Sequence, residues 1–176
     1  MWTARRILKE LADSDQRRRI LTAFWKHGDD SSKMLAAAQL ARAMHFRDET
    51  IRKMPAERKA ELLASRIGSA EFEQAFNTAL MLYHTHDQPT LLAAFLDDWK
   101  VPHVNGSIET DDYTPPSAEA VRSAANRLDA DFPTADINVY LASAGLLMGD
   151  EWRTGTWPVV DERSASHDAA GTGKNA

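Results

Sequence analysis

A chain of 176 residues, 43% apolar and 27% charged, is long enough to bury a core and reads as one globular, soluble domain. With no cysteine it excludes disulfides, thiolate nucleophiles and cysteine-ligated zinc or iron–sulfur centres, and no run approaches the ~18 apolar residues of a membrane span. The net charge of −5 hides an asymmetry: Met1 to Arg66 carry fifteen Lys+Arg against nine Asp+Glu, and Ile67 to Ala176 carry six against seventeen.

Such polarity suits either a basic face for nucleic acid or two halves that attract each other, within one chain or between two. The second reading is preferred, because acids are interleaved among the bases. The densest cluster, "QRRRI", sweeps about 200° of a helix and forms no stripe. No nucleic-acid-binding motif accompanies it, so nucleic acid is not the expected partner. A cytoplasmic, bacterial-type protein is expected.

The N-terminus, "MWTARRILKELADSD", is no signal peptide and reads as the first helix, with Ile7, Leu8 and Leu11 at helical spacing. "DQRRRILTAFWKHG" repeats the pattern through Ile20, Leu21, Phe24 and Trp25, and Gly28 is expected to end it as a left-handed cap. The next helix starts from Ser31 or Ser32. It runs either unbroken to Met54, with Arg47 on its apolar face, or breaks where Asp48 caps a new one.

Pro55 opens "PAERKAELLASRIG", which stops at Gly68, and Ser69 opens "SAEFEQAFNTALMLYHTH". On that helix Phe72, Phe76, Ala79, Tyr83 and His86 share one stripe, and His84 falls about 200° away on the polar flank. Asp87 is the expected cap of "PTLLAAFLDDW". Asn105-Gly106 then marks a hairpin that Pro102 limits to a short ribbon.

Two further helices, separated by Pro133, follow in "TPPSAEAVRSAANRLDADF" and "TADINVYLASAGLLMG". From Asp150 the helical pattern is lost, with Trp152 and Trp157 expected to pin an extended segment. No apolar anchor follows Val160, so the chain from Arg163 on is expected to add no stability. The fold class is therefore all-α: about seven helices in a bundle or short solenoid-like array, a β-hairpin-like ribbon near 101–110 and a disordered C-terminal tail. One helical domain is expected over 1–160, basic in 1–66 and acidic in 67–160, with a flexible tail over 161–176.

The chemistry available is carried by histidines. His84, His86 and Asp87 contain a His-x-His pair, which shares a face on a strand but diverges on a helix. A joint between helices is therefore preferred to a metal site there. His103, beside the carboxylates of Asp97 and Asp98, is the candidate general base, or a metal ligand with an acidic second shell. The plainer alternative is a histidine that fastens the ribbon to the helices.

"DDYTPP" near Glu109 lacks the spacing of a calcium loop, His27 and His45 are isolated, and "SHD" at 166–168 lies on a segment too loose to hold a triad. No phosphate-binding glycine loop is present and no cofactor is expected. The expected function is protein–protein interaction or self-association. The alternatives are a hydrolase using His103 with His84 or His86 and nearby carboxylates, metal-dependent or not, and nucleic-acid binding through the basic half.

Overall fold

A computed structural model describes residues 1–110 and 112–171, the stretch 166–171 by backbone alone. The architecture is all-α, with ten α-helices and one two-stranded antiparallel hairpin among the described residues. The chain divides into two compact units, Thr3–Gln88 and a second formed by Met1–Trp2 with the chain from Pro89 onward.

The first unit opens with α1 (Ala4–Glu10) and α2 (Ser14–His27), capped by the side chains of Thr3 and Asp13. Gly28 ends α2 as expected but in an extended conformation, with φ −62°. A Cβ there would lie 2.5 Å from the Phe24 carbonyl oxygen, so close approach and not a left-handed backbone calls for glycine. Helix α3 (Asp30–Met44) is capped two or three residues earlier than the serines suggest, because the Asp29 carboxylate accepts from the Ser32 N–H at 2.9 Å.

Helix α3 does not run on to Met54. His45 adopts the left-handed conformation at φ 56° and Phe46 N–H returns to the Ala41 carbonyl at 2.9 Å. A separate short helix, α4 (Asp48–Lys53), follows, which leaves Arg47 outside any buried stripe. Then come α5 (Ala56–Ala64), a 3₁₀ turn at Ala70–Phe72 entered from Ser69, and α6 (Glu73–Leu82). Ile7, Leu8, Leu21, Phe24, Leu40, Leu63 and Phe76 are among the wholly buried side chains of this unit.

The second unit contains α7 (Pro89–Asp98), strands β1 (His103–Val104) and β2 (Ser107–Ile108), α8 (Ala118–Leu128), α9 (Thr134–Leu147) and α10 (Asp150–Gly171). The strands pair His103 with Ile108 and Val104 with Ser107. Asn105 and Gly106 supply the two positive φ values, 52° and 87°, that a tight hairpin turn needs. Helix α9 is buried from Asp136 to Gly145 without a polar face, as a helix enclosed on all sides should be.

Helix α10 corrects the expectation of an extended segment after Asp150. Gly155, Pro158 and four threonine or valine positions disfavour helix locally, so packing decides the outcome. Trp152 is buried and Trp157 Nε1 donates to the Ala142 carbonyl at 3.2 Å. A Cβ on Gly145 would sit 2.4 Å from that indole nitrogen, so α9 and α10 pack at near contact through a glycine.

The helix also passes the expected start of the tail at 161. Asp161 accepts from Trp2 Nε1 at 3.1 Å, Glu162 takes Arg122 Nε at 2.9 Å, and Arg163 Nε donates to Asn138 Oδ1 at 2.7 Å. The remaining end of the expected tail, 172–176, lies outside the described residues.

Candidate functional site

Between α6 and α7 the chain makes one π-helical turn, Tyr83–Asp87, closed by Gln88 N–H to the Tyr83 carbonyl at 3.0 Å. His84 lies one α-helical turn after Leu80 and two after Phe76, both wholly buried. It therefore belongs to a buried face wider than the expected stripe, while the wider turn carries His86 off that stripe. His84 is 5% exposed, with its ring edge-on to Tyr83 at 5.4 Å. His86 leaves the stripe and is exposed. Burial pushes the His84 imidazolium pKa down from 6.5 to about 3, so the ring is neutral across the physiological range.

His86 instead stacks on His27, read from the sequence as isolated, with ring centroids 4.3 Å apart and planes 7° from parallel. His27 Nε2 lies 3.7 Å from Asp87 Oδ1. Asp87 is thus inside the π-helical turn and two residues short of Pro89, not at the position that caps α7. Parallel stacked imidazoles hold their lone pairs in separate planes and do not point at one ion. Among the described residues no three His, Asp or Glu side chains are grouped to hold a metal.

His103 is held on both sides. Nδ1 accepts the Gly106 N–H at 3.0 Å, and Nε2 lies 3.1 Å from Asp97 Oδ1. Since Nδ1 is an acceptor, the neutral ring carries its hydrogen on Nε2 and donates it to Asp97. The hairpin turn is thereby tied to the last turn of α7. A His–Asp dyad needs its second nitrogen facing a substrate, and here that nitrogen is engaged by the turn. Asp98 faces elsewhere, accepting from Arg127 Nε at 3.1 Å. Asp111 of "DDYTPP", and the side chains of Ser166, His167 and Asp168, lie outside the described residues.

The basic residues of the N-terminal stretch are largely committed within the first unit. Arg5 Nε binds Glu73 at 2.6 Å, and Arg42 lies 3.9 Å from Glu71. The three arginines of "QRRRI" diverge as their spacing implies. Arg17 donates to the Leu8 and Ala12 carbonyls, Arg18 reaches Asp15, and Arg19 lies over the Tyr83 ring at 6.0 Å.

Exposed apolar side chains, which residue spacing alone does not single out, form the remaining candidate surfaces. On α3, Met34 and Leu35 are 60% and 53% exposed, and Leu35 borders a shallow cleft shared with Gln39, Gln74 and Thr78. In the second unit two adjoining open clefts share Pro115, Asp150 and Glu151, with Met148 on the lip of one. Comparison with known protein families, curated proteins and solved structures gives no match.

Proposed function

We propose that this chain is a cytoplasmic binding module that works through protein–protein contact. The observation that supports it best is the apolar surface beside clefts: Met34 and Leu35 on α3, and Leu147 and Met148 at the end of α9. Large apolar side chains grouped at a cleft and rimmed by polar groups are a hallmark of interaction surfaces. No helix among the described residues is long and apolar enough to cross a bilayer.

The hydrolase reading retains one favourable contact, Asp97 with His103, but leaves that ring no free nitrogen for a substrate. The nucleic-acid reading loses most of its cations to internal carboxylates and carbonyls. Photo-crosslinking tests the proposal. A benzophenone amino acid at position 35 or 148 should give protein adducts in the cells that make this chain, and one at exposed Lys9 should not. Equal yields at all three positions would contradict it.

A further inference from the structure

The two adjoining clefts of the second unit form one open groove with a definite chemistry. One wall is the segment Tyr113–Ser117, where two consecutive prolines fix the backbone. That wall is pressed on α10 through Gly155, where a Cβ would come within 2.1 Å of the Pro116 carbonyl oxygen. The other wall is the first turn of α10, carrying Asp150, Glu151 and Thr154. Trp152 lies beneath, edge-on to Tyr113 at 6.1 Å and to Trp99 at 5.5 Å. Met148, 43% exposed, extends the apolar lip.

The charge around this apolar strip is negative. Asp150 is 90% exposed and Glu151 is exposed; the nearby cation Arg153 pairs with Asp150 through Nη1, while its Nε donates to the Gly145 carbonyl at 3.0 Å and its guanidinium lies 5.2 Å from the Trp157 ring centroid. That pairing leaves the Glu151 carboxylate as the stronger attraction. Over 89–176 the chain holds six Lys+Arg against fourteen Asp+Glu, so the field of the whole unit reinforces the rim.

We infer that this groove takes an extended, basic peptide segment in which cationic and apolar side chains alternate. Apolar side chains would lie against Tyr113, Pro115 and Met148, and the cations against Glu151 and, in competition with Arg153, Asp150. Alternation follows from the geometry, since successive side chains of an extended segment point to opposite sides. A rigid proline wall is already organised for such a ligand, so little ordering opposes binding. The inference rests on the protein-binding reading and names the class of partner for this one surface.

The test uses short synthetic peptides alternating leucine with lysine, with serine or with glutamate, titrated into isotope-labelled protein and followed by amide NMR. The lysine peptide should shift Tyr113, Gly149, Glu151 and Thr154, and its affinity should fall about tenfold or more between low and high salt. Glu151→Lys should weaken it by about tenfold or more, and Glu151→Gln by less, with both variants keeping the parent amide spectrum elsewhere.

Equal binding of the serine peptide, or no salt dependence, would overturn the basic-partner inference. So would binding of free spermidine as tightly as the peptide, which would make the groove a small-cation site. If no peptide binds yet position 148 still crosslinks to protein in cells, this inference fails and the protein-binding reading stands. If neither occurs, both fail.

Discussion

Arg163 grips Asp129 with two nitrogens, Nη1 to Oδ2 at 3.0 Å and Nη2 to Oδ1 at 2.7 Å, while its Nε donates to Asn138. This fork binds α10 to the end of α8 and to α9. Its side chain is 13% exposed and that of Asp129 33%, so the pair is shielded well enough to matter. Arg163→Ala should destabilise by about 1–3 kcal/mol, because it leaves a half-buried carboxylate with only the Thr134 hydroxyl and removes the Arg163 donor from an amide oxygen. The sequence-based expectation that truncation at Arg163 is silent is thereby withdrawn. Thermal melts of the variant and of a chain cut after 171 compare the two regions.

The same pair has a pH signature. The hydrogen bond from Arg163 holds the Asp129 carboxyl below its ordinary pKa of 3.8. A lowered carboxylate contributes stability that is present above the unfolded value and lost as pH falls through the folded one. The deficit of Arg163→Ala should therefore be full at neutral pH and shrink only below about pH 4. A deficit constant down to pH 2 would mean that packing of the arginine stem, not the ion pair, carries it.

His84 makes a forecast of the same direction in a higher pH window. Its folded pKa of about 3 lies below the unfolded 6.5, so the unfolded chain takes up a proton first. Stability from this residue is complete above pH 6.5 and declines as pH falls from there toward 3, at up to about 1.4 kcal/mol per unit. His84→Phe should lessen the acid sensitivity by about 2 kcal/mol at pH 5 relative to the parent. Urea midpoints at pH 7 and pH 5 measure this. Parallel pH dependence in parent and variant would show that His84 charges without cost.

The hairpin gives a third test. Gly106 combines φ +87° with a gap in which a Cβ would meet Leu92 Cδ2 at 2.8 Å, so Gly106→Ala meets backbone strain and a clash together. It should cost about 1–3 kcal/mol. His103→Ala removes the acceptor of the Gly106 N–H and should cost about 1–2 kcal/mol, whereas Asp97→Ala, with Asp97 76% exposed, should cost under about 1 kcal/mol. Denaturant melts of the three rank them. A larger loss at Asp97 than at His103 would contradict the fastening role.

Asp87→Ala separates the two accounts of the α6–α7 joint. As an N-cap its loss would cost about 0.5–2 kcal/mol. In the π-helical turn, 3.7 Å from His27, it should cost within about 0.5 kcal/mol. Chemical denaturation decides between these ranges.

These residues also show what the sequence discloses. Helical spacing locates nearly every helix of the first unit, and Asn105-Gly106 locates the hairpin, because both signals are local. The choice at Asp48 stayed open, since it depended on His45 accepting a left-handed backbone. His86 leaves the apolar stripe because a π-helical turn shifts the register, which no residue type announces, and His84 is buried because the Phe76–Leu80 row of α6 is buried as well. Helix α10 was hidden by Gly155 and Pro158, whose local cost is offset by packing on α9 that only the fold reveals. The Asp97–His103 contact was legible as adjacency. The engagement of Nδ1 by the turn, which decides what the ring can do, was not.

Sedimentation velocity of the fluorescently tagged chain in a lysate of its own cells tests the central claim most directly. The parent and His103→Gln should both sediment faster than the 19.6 kDa chain alone, while Leu35→Glu and Met148→Glu should shift part of the material back toward that monomer. A parent that sediments only as the monomer, or apolar-surface variants that keep the full complex while His103→Gln loses it, would contradict a binding module with histidine-tied joints.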